Sequence, residues 1–366
     1  MQGQLFDRDR EVLQLHLGGG TPTFFNDEQL STMMSWLQSN FKFSMAPQRE
    51  FSIEIDPRTV DAKRIQRLAG MGFNRLSLGV QDLDPDVQKA VNRVQGQEET
   101  LDLILQSREA GFNSVSIDLI YGLPKQTLTS FRATLESVIN ARPDRLSVYN
   151  YAHMPRLFRA QRLIKEEDLP TPQQRLALLQ CTIQTLLDAG YRYIGMDHFA
   201  LPDNELVVAR KSGQLQRNFQ GYSTFADCDL VGIGVSAISK VGDSYSQNYK
   251  DLREWRESLD AGNLPVWRGL QLSWEDRLRR CVIETIMCHG ELDYAKIEER
   301  FGIDFNEYFA SEILRLHQLA DDGLIALSDS GFRARPAGML LVRVIAMTFD
   351  EALQSERPEG VFSKVI

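Results

Sequence analysis

The stretch VLQLHLGGGTP, residues 12–22, decides the fold. An apolar run of strand character, VLQLHL, ends directly in three glycines and a Thr-Pro pair, so a strand runs straight into a turn that presents bare backbone. A tight turn with positive φ accounts for one glycine or two; a third suggests that the backbone must come close to a ligand, where any side chain would obstruct the approach. The stretch is not the phosphate loop G-x-x-x-x-G-K-[ST], because no lysine follows, nor is it G-x-G-x-x-G.

Outward from this point the same texture recurs. FSIEI (51–55), RLSLGV (75–80), SVSIDLI (114–120), RLSVYN (145–150) and YRYIGMD (191–197) alternate with helical stretches, and strand, helix, strand at this spacing predicts parallel βα units. Asp84-Pro85 and Thr171-Pro172 each place an N-cap before a proline at the first helical position, and Thr59 can cap the segment ending near Gly70. Six strands suit an open or partial barrel better than a closed eight-stranded one. Their ends run into polar or glycine residues: His16 to Gly20, Glu54 to Asp56, Gly79 to Asp82, Asp118 to Gly122, Asn150 to His153, and Asp197 with His198. In parallel α/β folds ligands sit at the carboxyl ends of strands, which places the chemistry there.

After about residue 250 the pattern changes to helices and then a hairpin. A capping-box-like Ser-x-x-Asp opens at Ser273, apolar residues at helical spacing follow through Leu278, Val282 and Ile286, and GLIALSDSGFRAR (323–335) reads as two short strands around Ser328 to Gly331. The expected division is a barrel over 1–250 and a helical, winged-helix-like domain over 251–366, read as a packing or lid domain and not a nucleic-acid binder.

Composition agrees. The chain has 366 residues, 43% hydrophobic and 25% charged, an ordinary globular balance. A formal charge of -9 and a pI near 5.2 argue against a polyanionic partner, whose phosphates need a basic face. No apolar run approaches the roughly 20 residues that cross a bilayer, and MQGQLFDRDREV lacks the marks of a signal peptide, so a cytoplasmic protein is expected. Cys181, Cys228, Cys281 and Cys288 are too few and too scattered for a disulfide framework, and reduced thiols are expected.

Isolated polar residues in the strands are the candidates for chemistry: Glu54 within IEID, Gln81 after LSLGV, Arg93 on the helix that follows, and Asp118 within IDLIYG. A carboxylate in a strand of isoleucine and valine must be paired or bound, since burying it alone costs several kcal/mol. For one such residue an internal salt bridge is the better account; for a set at one edge of successive strands, a shared ligand is. A zwitterionic, cationic small molecule with hydroxyls would use carboxylates, an amide and an arginine together.

In order, GGGTP, SIEIDP, FNRLSLGVQD, VNRVQ, IDLIYGLPKQT, RLSVYNYAHMP, IGMDHFA, RNFQGY and GVSAIS resemble the oxygen-independent coproporphyrinogen III oxidases, from about Leu15 to the terminal FSKVI. The resemblance implies a radical S-adenosylmethionine (SAM) oxidoreductase of haem biosynthesis, a partial (β/α) barrel with a carboxyl-terminal helical domain. In that family a reduced [4Fe-4S] cluster cleaves SAM, and the resulting radical initiates decarboxylation of two propionates of coproporphyrinogen III, giving protoporphyrinogen IX; an electron donor serves the cluster. Carried over position by position, SAM contacts fall on Gly19, Gly20, Thr21, Glu54, Gln81, Arg93, Asp118, Ala152 and Ile238. Gly19 and Gly20 would face the methionyl part, Glu54 and Arg93 its ammonium and carboxylate, Gln81 and Asp118 the ribose or amino-acid polar groups, and Ala152 and Ile238 the adenine. His198, Arg217 and the GVSAIS stretch are candidates by position for the substrate's propionates. A monomer is expected.

Two departures matter. The family's C-x-x-x-C-x-x-C loop does not occur in this sequence, so no metal ligand is assigned; the resemblance begins just before the family's second barrel strand, and the expectation is an amino-terminal segment missing from the chain, which would be inactive in isolation. The related haem chaperones share the barrel motifs, but Asn92-Arg93-Val94-Gln95 matches the oxidases, where the chaperones carry glycine and histidine in place of Asn92 and Gln95. A non-catalytic SAM- or tetrapyrrole-binding module is the other alternative.

Overall fold

Apolar and polar residues alternate along the early strands, and a strand sends successive side chains to opposite faces. The computed structural model describes residues 1–225 and 228–351, and the terminal FSKVI lies outside the described residues. In it, Ile53, Ile55, Leu76, Leu78, Val80, Val115, Ile117 and Leu119 are buried on one face against helix residues such as Leu30, Ile65, Leu68, Ile104, Phe131 and Leu135. Each such side chain contributes about 1.5–3 kcal/mol on burial.

The sheet is ordered Gln14–Leu17, Glu50–Ile55, Arg75–Gln81, Ser114–Tyr121, Arg145–Asn150, His198–Ala200, Arg192–Gly195. Its first five strands are parallel and in chain order, as βα units require. The register sets Glu54 opposite Ser77, Ser77 opposite Ser116, and Asp118 opposite both Gly79 and Ser147. All the polar members therefore fall on the face that the helices leave open.

YRYIGMD does not continue the parallel series as one strand. Gly195 at φ +154° and Met196 at φ +51° break it, and the following His198–Ala200 strand runs antiparallel to Arg145–Asn150.

Capping follows the sequence closely. Asp84 accepts from the amides of Asp86 and Val87, and Thr171 forms a capping box with Gln174. The helix Ala62–Gly70, by contrast, is capped by Asp61; Thr59 closes a preceding 3-10 turn, Pro57–Thr59.

The described residues divide into two compact units, Met1–Tyr193 with Asp197–Asn204, and Ile194–Met196 with Glu205 onward. In the second, Ser273 and Asp276 form the capping box of Trp274–His289, whose Leu278, Val282 and Ile286 pack with Phe305, Phe309 and Leu316. The strands Ile325–Ser328 and Gly331–Ala334 form the expected hairpin, joined by Glu291–Asp293 in a three-stranded antiparallel sheet. A second antiparallel sheet is made by Ile238–Val241, Ser244–Asn248 and Val266–Gln271. The architecture is α/β, a partial parallel barrel followed by a helical unit with a winged hairpin. No helix among the described residues is long and apolar enough to cross a membrane.

Candidate functional site

The glycine turn is fastened to the second strand of the sheet. Glu54 receives the amide of Gly19 at 3.3 Å through Oε2, while Oε1 lies 3.2 Å from Nε2 of His16; the other imidazole nitrogen, Nδ1, lies 2.8 Å from the Ser52 hydroxyl. Glu54 is a residue of the open face with its side chain 41% exposed, so the buried-carboxylate argument made from the sequence does not apply to it. The three glycines are required for different reasons. A Cβ at Gly18 would press on the His16 ring and lie 2.8 Å from Oε1 of Glu54, whereas Gly19 at φ +79° and Gly20 at φ +134° are required by backbone conformation, with nothing near the Cβ positions. Thr21 follows as the residue before the 3-10 turn Pro22–Phe24.

Asp118 sits on the same face two strands away. Ser77 donates its hydroxyl to Oδ2 at 3.0 Å. Burial pushes the carboxyl up to about 6; hydrogen bonds from Ser77 and Ser147 oppose this, the charge of Glu54 adds to it, and His16 works against it. Ser77 links the two acids, opposite Glu54 in register and hydrogen-bonded to Asp118, with His16 on the far side of Glu54. The hydroxyl of Tyr149 is raised to about 12 by burial and then by the charge of Asp118.

Gln81 and Arg93 form a second group at the carboxyl end of the Arg75–Gln81 strand. The register shifts between Gly79 and Gln81, and Gln81 has φ +67°. Arg93 lies between the helices Pro85–Ala90 and Gln97–Glu109, after Asn92 at φ +53°, and not on a helix as its sequence suggested. A single residue in the left-handed region ends the first helix and turns the guanidinium back toward the strand. Nη2 donates to the Gly79 carbonyl at 2.7 Å, Nη1 is 3.2 Å from Asp56 Oδ2, and Nε is buried with no hydrogen-bond partner. Asp56 also holds Arg58 at 2.7 Å; burial alone would raise its pKa, but the bonds and charge of the two arginines hold it below the usual carboxylate value. Gln95 donates to the Val80 carbonyl at 2.7 Å, so the Asn92–Gln95 motif fixes the strand end through two consecutive carbonyls.

Ala152 follows the fifth strand, its carbonyl receiving Nε2 of Gln161 at 3.0 Å. His198 packs edge-on against Tyr149, with centroids 6.1 Å apart. Ile238 and Arg217 belong to the second unit: Ile238 pairs with Gln247, and Arg217 lies over the Tyr222 ring.

For a sulfonium nucleotide the open face suits the ligand: two carboxylates, a glycine turn with unencumbered backbone, and a buried guanidinium edge at Arg93. An iron-sulfur cluster needs thiolates brought together. Cys181 and Cys288 are buried, Cys281 is half-buried and Cys228 exposed, and among the described residues no three metal-ligating side chains meet. The residues present do not fit that group.

Sequence reasoning placed His16 at the strand end without a role and missed Ser52, Ser77, Ser147 and Tyr149. The signal was available: Ser52-x-Glu54, Ser77-x-Gly79-x-Gln81, Ser116-x-Asp118 and Ser147-x-Tyr149 repeat at the two-residue period of a strand face.

Comparison with known proteins adds the family. The radical SAM superfamily pattern matches residues 4–138, and the HemN C-terminal domain pattern matches residues 272–341. The oxygen-independent coproporphyrinogen III oxidase of Pseudomonas aeruginosa is 52% identical over 359 residues, covering 98% of this chain and 78% of the relative. The Escherichia coli protein of the same name is 50% identical over 357 residues, with the same coverage. A solved structure of coproporphyrinogen III oxidase (HemN) from E. coli, described as a radical SAM enzyme, superposes with a TM-score of 0.91 at 50% identity, covering 94% of this chain and 79% of that one.

Proposed function

The chain belongs to the oxygen-independent coproporphyrinogen III oxidases of the radical SAM superfamily, and from that membership we propose that its open sheet face is a SAM site serving oxidation of coproporphyrinogen III. The enzymes of this family are oxidoreductases that use SAM and a [4Fe-4S] cluster in haem biosynthesis. SAM, when bound, would supply the radical that takes hydrogen from the substrate. The thiols of the described residues do not converge on a cluster site.

The supporting observation is the pairing of Gly19, His16 and Glu54 on the same open face as Asp118, close enough for the charge of one carboxylate to be felt by the other. In this reading Glu54 accepts the ammonium of SAM while the Gly19 amide and His16 hold the carboxylate's orientation. Gly20 and Thr21 leave backbone free for the methionyl chain. Gln81 and Asp118 take hydroxyl or amino-acid polar groups, and Asp118 keeps its proton up to about pH 6. Arg93, held by Gly79 and Asp56, presents charge toward the ligand's carboxylate, and Ala152 borders the adenine. The reading includes an external electron donor, a cytoplasmic setting and a monomer.

The test is equilibrium binding of SAM to the full chain. The wild-type chain should bind, Glu54→Ala should bind about 10- to 100-fold more weakly through loss of a charged hydrogen bond, and both should unfold cooperatively. A folded wild-type chain without SAM affinity, or a Glu54→Ala variant with unchanged affinity, refutes the site.

A further inference from the structure

The second unit contains a cavity of about 380 Å³ that the site above does not use. One wall is the helix Trp274–His289. Its Leu278, Val282 and Ile286 face the unit's core, and the residues offset from them, Trp274, Arg277, Cys281 and Glu284, line the cavity at spacings of three and four, the repeat of one helix face. Arg300 and Phe301 close it from the end of the next helix, and Asp243 from the turn between two strands.

The lining is cationic in an acidic chain. Arg277 and Arg280 share one carboxylate, Asp243, at 3.0 and 3.7 Å. Nε of Arg277 is buried without a partner. Arg300 donates to the thiol of Cys281 at 3.4 Å, a weak acceptor, and its guanidinium lies over the Phe301 ring. Glu284 is the other acid, and its burial favours the protonated form, although Lys240, Arg280 and Arg300 oppose this. Trp274 and Phe301 meet edge to face at 6.0 Å and supply an apolar wall. Guanidinium groups present paired donors that match a carboxylate, and aromatic walls favour a flat ring. Ligand pockets run from roughly 300 to 1,000 Å³, so this one has room for a ring with one acid arm and not for a large macrocycle.

We propose that this cavity binds the carboxylate arm of an aromatic acid, with Arg277 and Arg300 holding the acid and Trp274 and Phe301 the ring. The natural ligand is one propionate-bearing ring of the tetrapyrrole, an assignment that rests on the function proposed above.

Indole-3-propionate and its uncharged amide are the probes, titrated calorimetrically into the full chain, with coproporphyrin III as competitor. The acid should bind at least about tenfold more tightly than the amide. Arg277→Gln and Arg300→Gln should each weaken it by about tenfold, a loss of the size expected for one charge-assisted hydrogen bond. Arg300 is exposed and carries little structure, so it answers the question if Arg277→Gln does not fold. Equal binding of acid and amide, or unchanged binding in a folded Arg300→Gln, overturns the proposal. Binding of indole-3-propionate that coproporphyrin III does not displace overturns the tetrapyrrole as natural ligand alone. SAM titration of the same samples reports separately on the functional reading: a chain that binds the acid but not SAM keeps the cavity and loses that reading, whereas one that binds SAM and not the acid does the reverse.

Discussion

Arg93 donates through Nη2 to the backbone carbonyl of Gly79 at 2.7 Å, tying a loop between two helices to the interior of a strand. Its other terminal nitrogen meets Asp56, a buried acid shared with Arg58. Arg93→Ala should therefore cost stability as well as ligand affinity, on the order of 2 kcal/mol from an orphaned carbonyl and a half-paired carboxylate. Urea unfolding of Arg93→Ala beside Glu54→Ala tests this. Equal stability of the two variants would mean that the Arg93 contacts do not hold the strand end.

Asp118 sets a pH dependence whose sign is fixed by its raised pKa. The folded carboxyl titrates near 6 and the ordinary value is 3.8, so the folded state binds the proton more tightly. The associated stability is fully present below the lower value and is lost as pH rises through the higher one. From about pH 4.5 to about pH 7.5 the wild type should lose about 1–3 kcal/mol relative to Asp118→Asn. Denaturation at the two pH values provides the measurement, and a constant difference between the proteins would refute the assignment.

The glycines give a sharper contrast. At Gly18 an added Cβ meets the far ends of the His16 and Glu54 side chains, which can move; at Gly338 it meets the backbone carbonyl of Leu324, which cannot. Gly18→Ala should cost less than about 1 kcal/mol of stability yet weaken SAM binding, because the displaced pair is the one that orients Glu54. Gly338→Ala should cost more than about 2 kcal/mol and leave SAM affinity of the folded fraction unchanged. Melting curves and SAM titrations together separate the two effects, and a reversed order would contradict the packing described for both sites.

Reconstitution with iron and sulfide provides a fourth check. With its four cysteines dispersed, the chain should acquire no [4Fe-4S] absorbance and should release no 5'-deoxyadenosine from SAM under reducing conditions. Stoichiometric cluster formation on this polypeptide would show that its thiols come together in a way the described residues do not.

Much of the fold is legible because its signals are local. Runs such as SVSIDLI carry both a strand's composition and its alternation, and Asp84, Thr171 and Ser273 mark helix starts with side chains that reach only two or three residues ahead. The misread places are those where backbone conformation or a distant neighbour decides. Met196, a residue with a Cβ, adopts φ +51° and splits the expected sixth strand, while Asn92 at φ +53° takes Arg93 off its helix. The site was legible as a set of residues and not as a surface. Glu54 and Asp118 were found one by one, while the serines beside them became informative only once the pairing of Glu54 with Ser77, and of Asp118 with Ser147, showed them to share a face.

That pairing also makes the sheet intolerant of length changes. With open-face and helix-facing positions interleaved one by one in Glu50–Ile55, Arg75–Gln81 and Ser114–Tyr121, deleting a single residue from any of these segments would exchange its two sides. Isoleucines and leucines would then point at the open face and the acids into the packed interior. Insertions and deletions in these segments should therefore be lethal to folding.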